Sequence, residues 1–296
     1  MQKILFFLSS LACLIAIFFT ADRHFFKIND GFCIHHIYSD FPEDAEWVLE
    51  KNSLLTRKEL SHILSQPFFY LAKGHQSFVF ESGDHEYVIK LYRFPSHLRL
   101  FPKLGHPLSY QYSKKRKDIS KYNIQKLHET ISSYHLAYEK MAEESGLLLI
   151  HQAKTASLDM RATLVDQMKH TYNVDLNKTL FVLQKKGVLL LDALQKAISL
   201  HHATQGKKIV DDLLSFIATR CKKGIKDNDP VLAKNYGWKE EHVLQVDIGR
   251  LKIDPSLQDA ARQKEEIILI VEPLKGWLFN HDAELYHYLQ KRLLEL

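Results

Sequence analysis

Two polar segments in the second half of the chain have residue types that could bind a metal ion. The first is the loop Asp227-Asn228-Asp229, with Asn235 six residues beyond Asp229. The second is Val246-Asp247-Ile248-Gly249, which places Asp247 twelve residues after Asn235. Carboxylate and amide oxygens are hard ligands that suit Mg²⁺. The two segments therefore predict a magnesium site.

The first half of the chain carries residues that suit a phosphate group. Residues 71–79 read Leu-Ala-Lys-Gly-His-Gln-Ser-Phe-Val, and small residues in such a turn let backbone N–H groups approach phosphate oxygens. Lys90 ends the run Tyr87-Val88-Ile89-Lys90. Burying a lysine among apolar residues is costly unless an anion meets its ammonium group. This pattern favours an anionic ligand at Lys90.

Short runs of aromatic and β-branched residues must position these groups. Three such runs, Phe68–Leu71, Ser77–Glu81 and Glu86–Tyr92, predict three antiparallel strands over residues 67–92. The sequence Ser82-Gly83-Asp84-His85 between the second and third runs is a hairpin signal. Two further buried strands are predicted at 147–151 and 161–167.

Helices are predicted before, between and after these strands. A capping box at Thr56 and Glu59 begins a helix that ends at Ser65. A long amphipathic helix is predicted over 119–145 and stops at Gly146. The other expected elements are a helix at Pro42–Glu50, a helix within the Leu/Val-rich segment 175–204, a helix at Lys207–Lys222, a strand at His242–Val246 and two short helices near the end.

The layout predicts an α+β protein with a sheet-rich first half and a helical second half. The expected domains are a membrane anchor or signal segment (1–22), a helical connector (23–66), a first lobe (67–170) and a helical second lobe (171–296).

In this order and spacing, residues 67–255 resemble the protein-kinase-like superfamily. The resemblance implies that Lys90 holds the phosphates of ATP and that Asn235 and Asp247 bind Mg²⁺. The glycine-rich loop of the family falls on Leu71–Val79, so Gly74, Ser77 and Val79 are nucleotide-binding candidates. Of the three glycine positions, only Gly74 is a glycine here.

The resemblance leaves two residue assignments open. Asp229 matches the catalytic aspartate, and Asp227 competes with it because one extra residue separates Asp229 from Asn235. The helix glutamate that would pair with the strand lysine is Glu139, with Glu129 as the other candidate. The resemblance also implies an interlobe hinge at 165–168, where Gln167 and Met168 would contact adenine.

The chain departs from the family in ways that imply a reduced, atypical member, and its apolar N-terminal segment favours a bacterial, membrane-anchored type. Asn228 replaces the arginine of the catalytic loop, and 47 residues (296 minus 249) follow Gly249. The implied fold is therefore bilobal, with a shortened helical second lobe. The implied function is transfer of a phosphoryl group from ATP to a hydroxyl of a protein or of a sugar or lipid-linked acceptor. The alternative is an inactive pseudokinase that serves as a membrane-tethered binding or scaffold module.

The composition argues against several other classes of protein. The chain has 296 residues, is 46% hydrophobic and 25% charged, and has a net charge of +5, which describes a globular and mildly basic protein. Its 17 His and three Cys show neither zinc-ligand spacing nor a disulfide framework. We expect no nucleic-acid partner. An unrelated protein that binds anionic lipid or nucleic acid through the basic run at 114–117 is a third hypothesis.

The N-terminal segment predicts membrane attachment. Residues 4–21 carry no charge, and at about 1.5 Å per residue a helix of this length just crosses a bilayer. A cleaved signal peptide is the alternative, although Phe19 at its −3 position is unfavourable. We expect a single-pass anchor with the main domain in the cytosol, where ATP is available.

Overall fold

The computed structural model describes residues 2–39, 47–49, 52–94, 114–155 and 157–296. For residues 2–5, 9, 18, 19, 22, 23 and 114–121 it describes the backbone alone. The chain forms two compact units. Unit 1 comprises Met1–Asp44, Thr56–Gln111 and Ala153–Phe181, and unit 2 comprises Ala45–Leu55, Tyr112–Gln152 and Val182–Leu296. The helix expected at 42–50 falls mostly outside the described residues.

Among its described residues, unit 1 contains two α-helices and five strands. They are α1 (Gln2–Ile28), α2 (Arg57–Ser65), β1 (Pro67–Lys73), β2 (Ser77–Ser82), β3 (Tyr87–Tyr92), β5 (Arg161–Val165) and β6 (Thr171–Asp175). In the described part of the chain, no helix is long and apolar enough to cross a membrane. The membrane anchor at 4–21 stays a prediction.

Unit 2 is mainly helical. Its helices are α3 (Lys114–Lys140), α4 (Ala142–Ser145), α5 (Leu190–Ser199), α6 (Ala203–Lys222), α7 (Leu232–Asn235), α8 (Ala260–His281) and α9 (Ala283–Leu294). Its strands are β4 (Leu147–His151), β7 (Phe181–Lys185, which begins at the last residue of unit 1), β8 (Val188–Leu189), β9 (Ile225–Asp227), β10 (Tyr236–Lys239), β11 (His242–Gln245) and β12 (Leu251–Ile253). Helix α3 thus belongs to unit 2, whereas the sequence places its residues in the first lobe.

The three strands expected over 67–92 form as predicted. β1 pairs antiparallel with β2, and β2 pairs antiparallel with β3. β2 alternates buried and half-buried positions, as a strand with one apolar face should. Its inward side chains, Phe78 and Phe80, are fully buried and contact Phe32 edge to face, with ring centroids 5.1 and 5.2 Å apart. This aromatic cluster is part of the core of unit 1.

The hinge expected at 165–168 is wrong, because these residues connect two strands within unit 1. β5 pairs antiparallel with β6, and the chain turns between them at 166–170. Asp166 fixes the turn, since its buried carboxylate accepts hydrogen bonds from the His170 backbone N–H (2.9 Å), from Asn29 Nδ2 (2.9 Å) and from the Tyr172 hydroxyl (3.0 Å). The sequence also gave no sign of β6, whose exposed positions are polar.

Two other expectations about unit 2 need correction. The helix expected over 119–145 is interrupted at Met141, a buried residue with non-helical backbone angles. Gly146 does end the following short helix, in the left-handed conformation (φ 63°), which glycine adopts at little cost. Of the two C-terminal helices expected to be short, α8 has 22 residues.

Candidate active site

A pair of short strands holds the acidic loop beside the Asp247 segment within unit 2. β9 and β12 are antiparallel, with Asp227 opposite Leu251. The Asn228 backbone N–H donates to the Arg250 carbonyl (3.1 Å). Because β12 begins two residues after Gly249, this pairing fixes the Asp-Ile-Gly segment next to the loop.

Asp227 is a buried residue that holds the loop together. Its side chain is 3% exposed. One carboxylate oxygen accepts the Asp229 backbone N–H (2.9 Å), and the other accepts from Gln245 Nε2 (2.7 Å). Burial raises the pKa of the Asp227 carboxyl above its ordinary value, and the charged Asp247 and Asp229 add to this, while Arg220 and the bound N–H oppose it.

Asp229, in contrast, presents its carboxylate to solvent. Its side chain is 51% exposed, and Arg250 Nε lies 3.8 Å from its Oδ2. An ion pair this exposed contributes little to stability. The Asp229 carboxylate is therefore available to a ligand.

Asn235 and Asp247 are connected to each other and to Asp229 through the backbone. The Asn235 side-chain amide donates to the Asp229 carbonyl. The Asn235 carbonyl accepts from the N–H groups of Val246 (2.8 Å) and Asp247 (3.4 Å). The three polar residues predicted from the sequence thus lie in one hydrogen-bonded arrangement.

The donor atoms at this place fit Mg²⁺ that arrives with phosphate. Because the Asn235 Nδ2 is used by the Asp229 carbonyl, the amide oxygen is the atom that Asn235 can offer a metal. Asp247 is exposed, and its Oδ1 accepts from the Gly249 N–H (3.2 Å), which leaves Oδ2 to coordinate. Among the described residues, no three His, Cys, Asp or Glu side chains are grouped to hold a metal ion. Mg²⁺ with one or two carboxylates takes its remaining ligands from substrate phosphate and water.

Ser133 on α3 is a contributor that sequence reasoning missed. Its buried hydroxyl donates to the Ile248 carbonyl and accepts from the Leu251 N–H (2.7 Å). The hydroxyl therefore fixes both sides of Gly249. A polar residue between the apolar positions of a long helix gives only a weak signal for such a role.

A fully buried arginine is the second missed feature. Arg220, on α6, is 1% exposed. Its guanidinium contacts the Tyr236 hydroxyl (2.9 Å), Gln245 Oε1 (3.4 Å) and the carboxylates of Asp227 (3.7 Å) and Glu266 (3.4 Å). The signal was present, because Arg220 continues the apolar stripe formed by residues 209, 213 and 217.

In unit 1, the turn and the lysine predicted to meet phosphate lie on adjoining strands. Val79 on β2 is the partner of Lys90 on β3. Lys90 is 9% exposed. The turn between β1 and β2 is closed by a hydrogen bond from the Gly74 N–H to the Ser77 carbonyl (2.8 Å). These residues share one end of the β1–β2–β3 sheet.

The remaining predicted positions lie elsewhere. Gln167 and Met168 are in the β5–β6 turn. The adenine contact was inferred from a hinge at these residues, and the structure has a turn there instead. Glu139 is an exposed residue of α3, and its charge acts on the nearby His135. Glu129 accepts from Lys126 on the same helix (2.9 Å).

Comparison with known proteins finds similarity in structure alone. No family model and no curated protein matches the sequence. The bifunctional kinase-methyltransferase WbdD matches in two of its structures with TM-scores of 0.36 and 0.33 at 16% identity, over 77% and 75% of this chain and 45% and 43% of the other. The ROP18 kinase domain in complex with AMP-PNP and sucrose matches with a TM-score of 0.35 at 13% identity, over 77% and 78% of the two chains.

The chain spans less than half the length of the WbdD structures that it matches. Similarity of this degree leaves the function to be argued from the residues of this chain.

Proposed function

We propose that this chain is a phosphotransferase that moves the γ-phosphoryl group of Mg²⁺·ATP to a hydroxyl group of a protein or of a sugar or lipid-linked acceptor. The observation that supports it most directly is the arrangement in unit 2. The Asp229 carboxylate is exposed, and the Asp229 carbonyl accepts a hydrogen bond from the Asn235 side-chain amide. The Asn235 carbonyl in turn accepts from the Asp247 backbone N–H.

Asp229 is the proton acceptor in this proposal. As the acceptor oxygen bonds to the γ-phosphorus and the bond to the bridging β–γ oxygen breaks, the hydroxyl proton passes to the Asp229 carboxylate. Asp227 is unsuited to that role, since it is buried and both of its oxygens are already hydrogen-bonded. Its proposed role is to orient Asp229 through the backbone.

Asn235 and Asp247 would hold Mg²⁺, and Lys90 would bind phosphate oxygens. When bound, Mg²⁺ neutralises charge on the phosphate oxygens. The turn at Gly74 and Ser77, with Val79 beyond it, would cover the nucleotide. Catalysis of this kind depends on positioning and charge stabilisation, which these few residues can supply.

Calorimetry of Mg²⁺·ATP binding to the full chain tests the proposal. We expect binding by the wild type and loss of binding in Asp247→Ala. Glu272→Ala, which removes an exposed carboxylate on α8, is the matched control and should bind as the wild type does. Absence of nucleotide binding by the wild type, with and without Mg²⁺, would refute the phosphotransferase.

One observation favours the pseudokinase alternative. Asn228 stands where the resemblance implies the arginine of the catalytic loop. The alternative predicts nucleotide binding without turnover. Single-turnover measurement of γ-phosphoryl loss from ATP separates the two functions.

A further inference from the structure

Arg220 lies at the centre of a buried polar cluster behind the proposed active site. The cluster consists of Arg220, Asp227, Tyr236, Gln245 and Glu266, each 6% exposed or less. A buried guanidinium is costly unless charged and polar groups surround it. The fold therefore maintains this cluster as a specific arrangement. The cluster also lies close in sequence to the proposed site residues.

Three partners of Arg220 are close in sequence to the three proposed site residues. Asp227 is two residues before Asp229, Tyr236 directly follows Asn235, and Gln245 is two residues before Asp247. The Asp227 carboxylate also accepts the Asp229 N–H, so one step of this connection is a direct hydrogen bond. One side chain thus contacts residues that lie within two positions of each of the three site residues.

The partners are also connected to each other. Gln245 donates to Asp227 through Nε2 and accepts from Arg220 through Oε1. Its carbonyl accepts from Gln184 Nε2 (3.1 Å). Glu266 brings α8 to the same guanidinium. Displacement of Arg220 would therefore affect the loop after β9, the start of β10 and the end of β11 together.

We propose that Arg220 is the positioning residue that sets the mutual geometry of Asp229, Asn235 and Asp247. This inference rests on the proposed function, in which those three residues accept the proton and hold Mg²⁺. It assigns to a residue of α6 a part in aligning the catalytic loop, whose own arginine position holds Asn228.

Hydrogen exchange of the full chain tests the inference without any need for activity. The reporters are the N–H groups of Asn228, Asp229 and Val246, which bond to groups within this arrangement. In Arg220→Gln we expect these amides to exchange about tenfold faster or more, the factor that follows from losing a hydrogen bond to a charged group. Residues 77–92 of unit 1 should exchange as in the wild type.

Ile209→Ala is the matched control, because Ile209 is fully buried on α6 and is not a member of the cluster. It separates general loosening of the helix from loss of positioning. If the reporter amides exchange no faster in Arg220→Gln than in Ile209→Ala, the inference is overturned. If Arg220→Gln does not fold, Tyr236→Phe and Arg220→Lys replace it. Unchanged reporter amides in both of these variants overturn the inference as well.

Turnover provides the functional readout. We expect kcat to fall roughly 10-fold to 100-fold in Arg220→Gln, as for outer residues that orient metal ligands, with partial recovery in Arg220→Lys. A fall in kcat no larger than that of Ile209→Ala counts against the inference. If the wild type neither binds nor turns over ATP, the proposed function fails, while the exchange result still decides whether Arg220 positions the loop.

Discussion

The roles of Asp227 and Asp229 can be separated by replacing each with asparagine. Asp227 uses both carboxylate oxygens as acceptors, and asparagine offers only one. In Asp227→Asn, the side-chain NH₂ group therefore faces another donor, either the Asp229 N–H or Gln245 Nε2. The substitution also removes the ion pair with Arg220. An unsatisfied buried donor costs about 1–3 kcal/mol, and loss of one partner of a buried ion pair adds to it.

We expect Asp227→Asn to lower the free energy of unfolding by about 3 kcal/mol. At about 2–4 °C per kcal/mol for a chain of this size, the melting temperature falls by about 10 °C. Asp229→Asn changes an exposed carboxylate that is paired with Arg250 at 3.8 Å, and such a pair is worth about 1 kcal/mol or less. Its effect should instead be on turnover, with a loss of about 10²–10⁴-fold.

Thermal unfolding gives the melting temperature of each variant. ATP turnover of both variants is then measured at 10 °C below the lower of the two melting temperatures. The opposite result would refute the reasoning. A strongly destabilised Asp229→Asn with normal turnover, beside a stable and inactive Asp227→Asn, would make Asp227 the catalytic aspartate.

Four further outcomes are expected. Asp166→Asn should lower the stability of the chain near neutral pH and flatten its acid dependence. Burial raises the pKa of Asp166, but the hydrogen bonds it accepts outweigh burial and hold that pKa below 3.8. Its stabilisation is therefore present above pH 3.8 and lost as the pH falls through the lower folded-state pKa, and urea unfolding between pH 7 and pH 3 measures the difference. Gln167→Ala and Met168→Ala should leave calorimetric Mg²⁺·ATP binding unchanged, and weakened binding would restore the hinge. Ser133→Ala should reduce stability to urea by about 1–3 kcal/mol, while Ser132→Ala, an exposed neighbour, should not. The apolar N-terminal segment should keep the chain in the membrane pellet after carbonate extraction, and recovery in the supernatant would contradict the predicted anchor.

Local patterns predicted the elements that depend on local physics. The capping box at Thr56 forms with both of its hydrogen bonds, and the strands β1–β3 pair as expected. These features depend on neighbouring residues, so the sequence displays them directly. The break at Met141 was missed because burial, and not local propensity, determines it. Strand β6 was missed because its pairing with β5 determines it.

The Asp and Asn residues of the candidate site were predictable from the sequence, whereas the residues that support them were not. Asp and Asn at particular spacings stand out in a sequence because their chemistry is visible there. Arg220 and Ser133 have ordinary roles in most helices, and only the folded chain shows what their polar atoms contact. The choice between Asp227 and Asp229 likewise depends on which side chain is buried, and residue spacing alone does not show this.

The buried contacts of Ser133 and Arg220 explain how a site without the usual arginine could keep its geometry. The loop from Asp227 to Asn235 carries no arginine of its own, yet its polar ends are held by groups within unit 2. Ser133 fixes the backbone on both sides of Gly249, and Arg220 contacts residues that precede or follow each proposed site residue. Geometry maintained by buried hydrogen bonds does not depend on the exposed side chains that contact a substrate. Other exposed residues around the site could therefore change with the acceptor while the arrangement of Asp229, Asn235 and Asp247 persists.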